Sequence, residues 1–418
     1  MAIESVGRPQ QRLRDCPGFV SAWAASTISD FGSYVTTLAI QVLIVLTLHE
    51  GATGVGLVSS ARWAPYLLFG LVAGVLVDRS RRRPLLVTTD LSRGLLLIAV
   101  PVLAVTHHLS LLLLMLFMAS FGLMSLLNDA ASQAFLPRLL PAHLLTAANA
   151  RLDQSSAVAQ TSGPALAGGL VSLLTAPWAV LVDAVSYLVS GLLLVRVRVP
   201  EPASRPVSAH GVTSEAVQGL RWVYGHVTLR PLAVTTHGWF FCSAIAGAVL
   251  PTFALRTLGL SPFGLGLTVA AGGGGGLLGS IAATRLGARF GAGRVVIVCR
   301  ALTGVSWALM ASSTAQWAGW VLFAAGQALL GLSMGAENAN EMGYRQAVTP
   351  DALQGRMNAV MRSINRAVIV VGAPAGGILG DVVGDRSVLW GASGGFLLVA
   401  VVLALSPFRR AGLDDLGR

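Results

Sequence analysis

The hydrophobic positions of this chain are gathered into long runs that short polar stretches separate. Each run is about as long as the helix of about 20 residues that crosses the hydrocarbon core of a bilayer. Twelve runs are predicted to be membrane-spanning helices, at residues 18–47, 53–77, 84–106, 109–136, 152–175, 178–196, 232–255, 264–286, 294–313, 317–342, 357–380 and 387–407. The pattern therefore predicts an all-α membrane protein.

The composition fits a protein that a bilayer solvates. The 418 residues are 54% hydrophobic and only 11% charged, whereas soluble domains carry about 25% charged residues. A soluble chain of this composition would precipitate. The lipid bilayer is therefore an expected partner.

The arginines indicate the orientation. All 29 basic residues are arginine, and the formal net charge is +11. They lie in short clusters between alternate apolar runs, while the opposite loops hold only Arg256 and Arg386. Because cytoplasmic loops carry such an excess, both termini are predicted to be cytoplasmic, in the plasma membrane. No single basic face is formed, so a nucleic-acid partner is not expected.

A polar interval at 197–231 divides the runs into two sets of six. The segment "PAHLLTAANA" (141–150) aligns with "PDALQGRMNA" (350–359) at an offset of 209 residues. The interval and the offset predict two pseudo-symmetric six-helix bundles, 18–196 and 232–407, joined by a cytoplasmic loop and followed by a cytoplasmic tail at 408–418. Many secondary transporters are built from such repeats, with the substrate site between them.

No pattern for a metal, a cofactor or a catalytic group is found. The cysteines Cys16, Cys242 and Cys299 are too scattered for a disulfide framework or a metal site. Since the chain has no lysine, the usual phosphate-binding loop of an ATP-driven pump cannot form. Residues 1–17 lack the apolar core of a signal peptide and are expected to be a cytoplasmic tail. Neither a cofactor nor enzyme activity is expected, and an ion gradient or the substrate's own gradient would supply energy.

The stretch "GLVAGVLVDRSRRRP" (70–84) closes the second run and opens the third. It resembles motif A of the major facilitator superfamily, G-x-x-x-D-R-x-G-R-R. The matching residues are Gly74, Asp78, Arg79, Arg82 and Arg83. Arg81 stands where the motif has its second glycine. The resemblance implies the major facilitator fold and a loop that latches the inward gate; the alternative is a simple basic anchor at the inner leaflet.

The stretch "SGPALAGGL" (162–170) lies in the fifth run. It resembles motif C of the superfamily's antiporters through Gly163, Pro164 and Gly168, with Ala167 in place of one glycine. "GAPAGG" (372–377) is a looser echo at the offset of 209. The linkers 135–150 and 347–359 and the segment 215–232 resemble the macrolide-efflux and enterobactin-exporter group of drug:proton antiporters. The resemblance implies export in exchange for protons.

Ionisable residues inside the predicted spans are expensive, about 2.5–3.5 kcal/mol or more each at the bilayer centre, and mark functional sites. The candidates for proton coupling are Glu337, Asp129, Asp30 and Glu341. At the offset of 209, Asn128–Asp129 falls on Glu337–Asn338, so each half carries an acid beside an amide. Glu337 is therefore the preferred candidate; an inter-helix salt bridge is its alternative role.

Several partners for these charges are predicted. Arg362 and Arg366 would lie near Glu337, and Arg62 would pair with Asp30. Asp90 and Arg93, three residues apart on one helix, would form a local ion pair. Asp183, near the end of the sixth run, would be hydrated.

These features predict a monomeric exporter of an amphipathic organic compound, such as a macrolide-like drug, by proton antiport with alternating access. One alternative is a dedicated exporter of a single self-made natural product, a siderophore or an antibiotic. An anionic siderophore would favour Arg62, Arg362 and Arg366 as ligands, beside the amides Asn128 and Asn338; a cationic drug would favour the carboxylates. A less favoured alternative is a non-transporting membrane sensor.

Overall fold

A computed structural model describes residues 13, 16–197 and 212–411. This part of the chain contains α-helices and no β-strand. The helices are α1 (Pro17–Val42), α2 (Ala52–Arg79), α3 (Arg82–Val105), α4 (Leu111–Leu139), α5 (Ala142–Leu174), α6 (Ala176–Val195), α7 (Val212–Gly225), α8 (Leu229–Thr252), α9 (Pro262–Phe290), α10 (Ala292–Ala311), α11 (Trp317–Val348), α12 (Asp351–Val383) and α13 (Asp385–Leu405).

Eleven of these helices, all except α2 and the short α7, are long and apolar enough to cross a membrane. Helix α2 has 28 residues, about 42 Å at 1.5 Å per residue, and lies between α4 and α12. All twelve predicted segments are thus helical. Helices α5 and α12 begin at Ala142 and Asp351, earlier than the predicted 152 and 357, because each helix extends beyond its apolar run into the polar residues that follow the N-cap prolines Pro141 and Pro350.

The twelve long helices form two bundles with the same packing. In α1–α6, α1 packs on α5 and α6, α2 on α4, and α3 on α4 and α6. In α8–α13, α8 packs on α12 and α13, α9 on α11, and α10 on α11 and α13. A five-residue π-helical turn ends both α1 and α8, at Leu43–Thr47 and Phe253–Thr257. The predicted fold of two pseudo-symmetric six-helix halves is therefore confirmed.

The connections between helices follow the same repeat. A single residue, Thr175, joins α5 to α6 with φ of 72°, and Gly384, at the offset of 209, joins α12 to α13 with φ of 89°. Glycine adopts such angles without strain, whereas a β-branched threonine does not. The two halves therefore share a turn with a positive φ, but only the second half has a glycine there.

The halves meet along α2 with α12 and along α5 with α9. Following the topology that the arginines predict, we call the end with the loops 48–51, 258–261 and 384 the outer end, and the end with the loops 80–81, 140–141 and 349–350 the inner end. In the described part of the chain, every hydrogen bond between the halves lies in the outer half, for example Arg256 Nη2 to Glu50 O at 2.9 Å and Ser60 Oγ to Val370 O at 2.7 Å.

Two glycines let the helices meet closely at this outer contact. A Cβ on Gly168 of α5 would lie 2.6 Å from Pro262 O, at the start of α9. A Cβ on Gly377 of α12 would lie 2.7 Å from the Cα of Thr53, at the start of α2. Small residues permit this backbone approach between membrane helices. Motif C and its echo thus occupy matching places between the halves.

Helix α7 lies at the inner end against α12 and α8. Arg356 of α12 donates to Gln218 at 2.6 Å and pairs with Glu215 at 3.4 Å. The described part of the interval 197–231 therefore contains a helix, which overlaps the segment 215–232 that resembles the exporter group.

Candidate substrate and proton site

Asp129 lies where three helices from both halves meet. Tyr66 of α2 donates from its hydroxyl to Asp129 Oδ2 of α4 at 2.7 Å. From the other half, the guanidinium of Arg366 on α12 lies 3.9 Å from the ring centroid of Trp63 and 5.2 Å from that of Tyr66. A cavity of about 230 Å³ is lined by Tyr66, Asp129 and Arg366, together with Arg362. An exposed carboxylate and two arginines therefore face the space between the halves.

Asp30 lies beside Asp129. Both carboxylates line one cavity of about 310 Å³ among α1, α3, α4 and α6, and Ser156 donates to Asp30 Oδ2 at 2.5 Å. Arg62 instead donates to Thr37 at 3.2 Å and lies over the rings of Trp63 and Phe121. The predicted pair between Asp30 and Arg62 is not formed among the described residues.

Glu337 and Glu341 face the interior of the second bundle. Arg300 of α10 binds Glu337 Oε1 at 2.8 Å and Glu341 Oε2 at 3.0 Å, and Arg345 binds Glu341 Oε1 at 3.3 Å. Arg300 is 0% exposed, Glu337 5% and Glu341 7%. Two arginines balance two carboxylates. The prediction that Arg362 or Arg366 partners Glu337 was wrong, because Arg300 occupies that place.

Threonines complete this buried cluster. Arg300 donates to Thr235 Oγ1 at 2.5 Å and to Thr236 Oγ1 at 2.7 Å, both on α8. The cluster thereby ties α8, α10 and α11 together. Removing one partner of a buried ion pair costs about 3–5 kcal/mol, since the other charge stays buried.

A second polar cluster occupies the matching place in the first bundle. The predicted ion pair of Asp90 with Arg93 is confirmed. Asn128 Nδ2 donates to Asp90 Oδ1 at 3.0 Å, and Ser190 Oγ donates to Asp90 Oδ2 at 2.7 Å. Asn128 thus faces the interior of its bundle, as does Glu337, the residue that corresponds to it at the offset of 209. Asn338, which corresponds to Asp129 at the same offset, is exposed and lines a cavity of about 460 Å³.

The motif residues divide into described and undescribed positions. The surroundings of Gly74, Asp78 and Arg79 lie outside the described part, although the helix reaches Arg79. Arg82 is buried. Arg83 donates to Leu194 O at 3.2 Å and to Val195 O, so it binds carbonyls at the end of α6.

In motif C, a Cβ on Gly163 would lie 2.9 Å from the ring of Tyr34. This glycine brings α5 close to α1, whereas Pro164, like Gly168, lies against α9, since a Cβ on Gly266 would overlap Pro164 O.

Three features escaped sequence reasoning. Asp183, expected to be hydrated, is 0% exposed and accepts from Ser186 at 2.8 Å. Ser172 and Asp381 bind the first turns of helices in the opposite half. The signal for that pair was present, since the offset of 209 places Ser172 on Asp381. Gln327, a polar residue within an apolar run, is also buried.

The sequence matches the family described as transmembrane secretion effector, of the major facilitator superfamily, over residues 14–416. The chain belongs to this family. It is a membrane transporter and not an enzyme.

Its relatives include efflux proteins. Macrolide efflux protein A of Streptococcus pyogenes is 21% identical over 395 residues, which cover 92% of this chain and 94% of the relative. An uncharacterized major facilitator transporter of Sinorhizobium fredii is 27% identical over 380 residues, which cover 88% of this chain and 89% of the relative. The crystal structure of a mutant nucleoside transporter superposes with a TM-score of 0.79 at 10% identity, covering 92% of this chain and 98% of that one. This similarity to the nucleoside transporter structure shows only that the two chains share a fold.

Proposed function

We propose that this transporter exports an amphipathic organic compound across the plasma membrane in exchange for protons, by alternating access of its two halves and as a monomer. The efflux relative supports the direction of transport. The arginine distribution supports cytoplasmic termini. In this proposal a proton gradient drives the cycle.

The position of Asp129 carries the proposal. Its carboxylate is exposed between the halves, and its hydrogen-bond donor, Tyr66, contacts Arg366 of the other half. Rocking of the halves moves the Arg366 charge relative to Asp129. The carboxylate therefore experiences a different charge environment in each conformation, as coupling of proton binding to motion requires. Asp30, in the same cavity, is the second proton group.

Glu337 and Glu341 are assigned a different role. Their charges are balanced by Arg300 and Arg345 inside one bundle, where rocking leaves their surroundings unchanged. We propose that they hold α8, α10 and α11 together as one rigid body. Of the four coupling candidates, Asp129 and Asp30 thus carry protons.

The gates follow from the contacts between the halves. Motif C, its echo and the bonds of Ser172 and Asp381 close the outer end. The motif A residues would latch the inner end once the halves rock, as the family resemblance implies.

Transport into inside-out vesicles tests the proposal. A macrolide such as erythromycin is added outside the vesicles, and the vesicle interior is made more acidic than the outside. We expect Asp129→Asn to abolish gradient-driven uptake while retaining substrate counterflow at equal pH. Asp351→Asn, an exposed acid at the start of α12, is the control and should transport normally. Gradient-driven uptake by Asp129→Asn at the wild-type rate would refute the coupling.

One observation favours the dedicated exporter of an anionic product. Arg62, Arg362 and Arg366 line cavities, and none of them lies within 4 Å of a carboxylate among the described residues. A catecholate siderophore offered in the same vesicles distinguishes this alternative, since it should be taken up in place of the macrolide. A membrane sensor would transport neither compound.

A further inference from the structure

A cavity of about 460 Å³ lies between α5 of the first half and α9 and α11 of the second, with Tyr34 of α1 at its edge. In the part of the chain that the structure describes, no charged residue lines it. This separates it from the cavities that contain Asp30, Asp129 and Arg366. Its volume lies in the range of about 300–1,000 Å³ that is typical of small-molecule pockets.

Three side-chain amides line this neutral cavity: Gln160 of α5, and Gln327 and Asn338 of α11. Gln327 is only 6% exposed, and its side chain makes no hydrogen bond to any other described residue. Gln160 and Asn338 are exposed and equally unpartnered within the described ranges. Their amide groups are therefore free to donate to and accept from a molecule in the cavity. Three of them around one space form a neutral set of hydrogen-bonding groups for a ligand.

Glycines line the cavity between these amides. Gly272 and Gly276 of α9 and Gly331 and Gly335 of α11 line the cavity. A Cβ on Gly276 would meet nothing closer than Gly331 O at 3.6 Å. A Cβ on Gly331 or Gly335 would instead overlap Gly272 O or Gly276 O, so these two glycines let α9 and α11 pack closely. Room for a side chain therefore remains at Gly276.

We propose that this cavity binds the uncharged ring of the substrate, an oxygen-rich macrocycle bearing hydroxyl and carbonyl groups. Each amide supplies both donors and an acceptor, which match hydroxyl and carbonyl groups alike. A charged group would lose its hydration here without gaining a counter-charge. The inference rests on the proposed export function and adds the substrate class: the neutral ring provides recognition, and any charge on the substrate lies outside this cavity.

Equilibrium binding to the purified full-length protein in nanodiscs, without any gradient, tests this. The probes are erythronolide B, an uncharged macrolactone, and erythromycin, whose related ring carries a cationic amino sugar. We expect both to bind. Gln327→Leu and Asn338→Leu should each weaken binding of both probes about three- to tenfold, the loss of one hydrogen bond. Gln346→Leu, an exposed amide on the same helix, should bind like the wild type.

A pair of glycine variants tests the same cavity by filling it. Gly276→Leu places a side chain in the cavity and should weaken binding of erythronolide B more than tenfold. Gly274→Leu is the matched control, because a Cβ there meets nothing within 4 Å and the residue does not line the cavity. Unchanged binding of erythronolide B in both Gln327→Leu and Gly276→Leu would overturn the inference, as would failure of the wild type to bind it.

The readouts separate this inference from the proposed function. Binding at equilibrium with no gradient-driven transport would leave the neutral site standing and refute proton-driven export. Proton-driven export of erythromycin with binding insensitive to Gln327→Leu and Gly276→Leu would refute the neutral site alone.

Discussion

Ser172 and Asp381, which coincide at the offset of 209 residues, each accept a hydrogen bond from the first turn of a helix in the opposite half. Ser172 Oγ of α5 accepts from Phe263 N of α9 at 3.1 Å. Asp381 of α12 accepts from Ala52 N at 2.9 Å and from Thr53 N at 3.0 Å. The first N–H groups of a helix have no partner within the helix. Each half thus caps a helix of the other, and this bonding is possible only while the outer end is closed.

The first prediction concerns the Asp381 cap. Asp381→Ala removes both hydrogen bonds from the α2 N-terminus, and loss of such a cap costs about 1–2 kcal/mol. The outward-open population should therefore rise about five- to thirtyfold relative to the closed one. Spin–spin distances between labels at His49 and Thr314, in a variant lacking the native cysteines, would measure this. Asp351→Ala, an acid at the inner end, should leave the distribution unchanged.

Gly168 provides a second test of the outer contact. Gly168→Ala places a Cβ 2.6 Å from Pro262 O, so the outer end cannot close as described. Transport should fall more than tenfold while the protein still folds. Its neighbour gives a matched control, since a Cβ on Gly169 meets only Phe263 at 3.9 Å, and Gly169→Ala should transport normally. Equal activity of the two variants in vesicle uptake would argue against this role for the α5–α9 contact.

The third prediction separates the acids of the two halves. Glu337→Gln leaves the buried charge of Arg300 less compensated and should destabilise the protein by about 3 kcal/mol or more. The double variant Glu337→Gln with Arg300→Gln should recover part of that loss, because the cluster is neutral again. Thermal unfolding in detergent measures both. A Glu337→Gln protein with wild-type thermal stability and no proton coupling would instead return Glu337 to the role that the repeat suggests.

The repeat explains both the success and the limit of sequence reasoning. Runs of apolar residues predicted every long helix, and the offset of 209 predicted two equivalent halves. The offset also placed Asn128–Asp129 on Glu337–Asn338 at the same depth. Adjacent helical residues differ in direction by about 100°, however, so one member of each pair faces the bundle interior and the other faces a cavity. The reversed order therefore leaves an acid facing a cavity in the first half and an amide in the second.

The tight turns of the two halves give a stability prediction. Thr175 has φ of 72°, and a strained residue of this kind costs about 1–3 kcal/mol. Thr175→Gly should therefore raise the unfolding temperature, as the natural glycine at 384 suggests. The converse change Gly384→Thr should lower it, although a Cβ there meets nothing within 4 Å. A fall in unfolding temperature for Thr175→Gly would mean that threonine contacts outweigh the backbone strain.

Arg366 and Arg362, one turn apart on α12, test how the halves communicate. Arg366 lies 3.9 Å from the Trp63 ring of the other half, a cation–π contact worth about 1–2 kcal/mol when desolvated, and it lies near the Tyr66–Asp129 pair. Arg362 is exposed. Arg366→Gln should lower proton-driven uptake of erythromycin about tenfold or more, whereas Arg362→Gln should retain most of it. Equal losses in the two variants would mean that the contact of Arg366 with the opposite half is not what distinguishes the two arginines. Wild-type uptake by Arg366→Gln would remove the link between Asp129 and the opposite half on which the coupling depends.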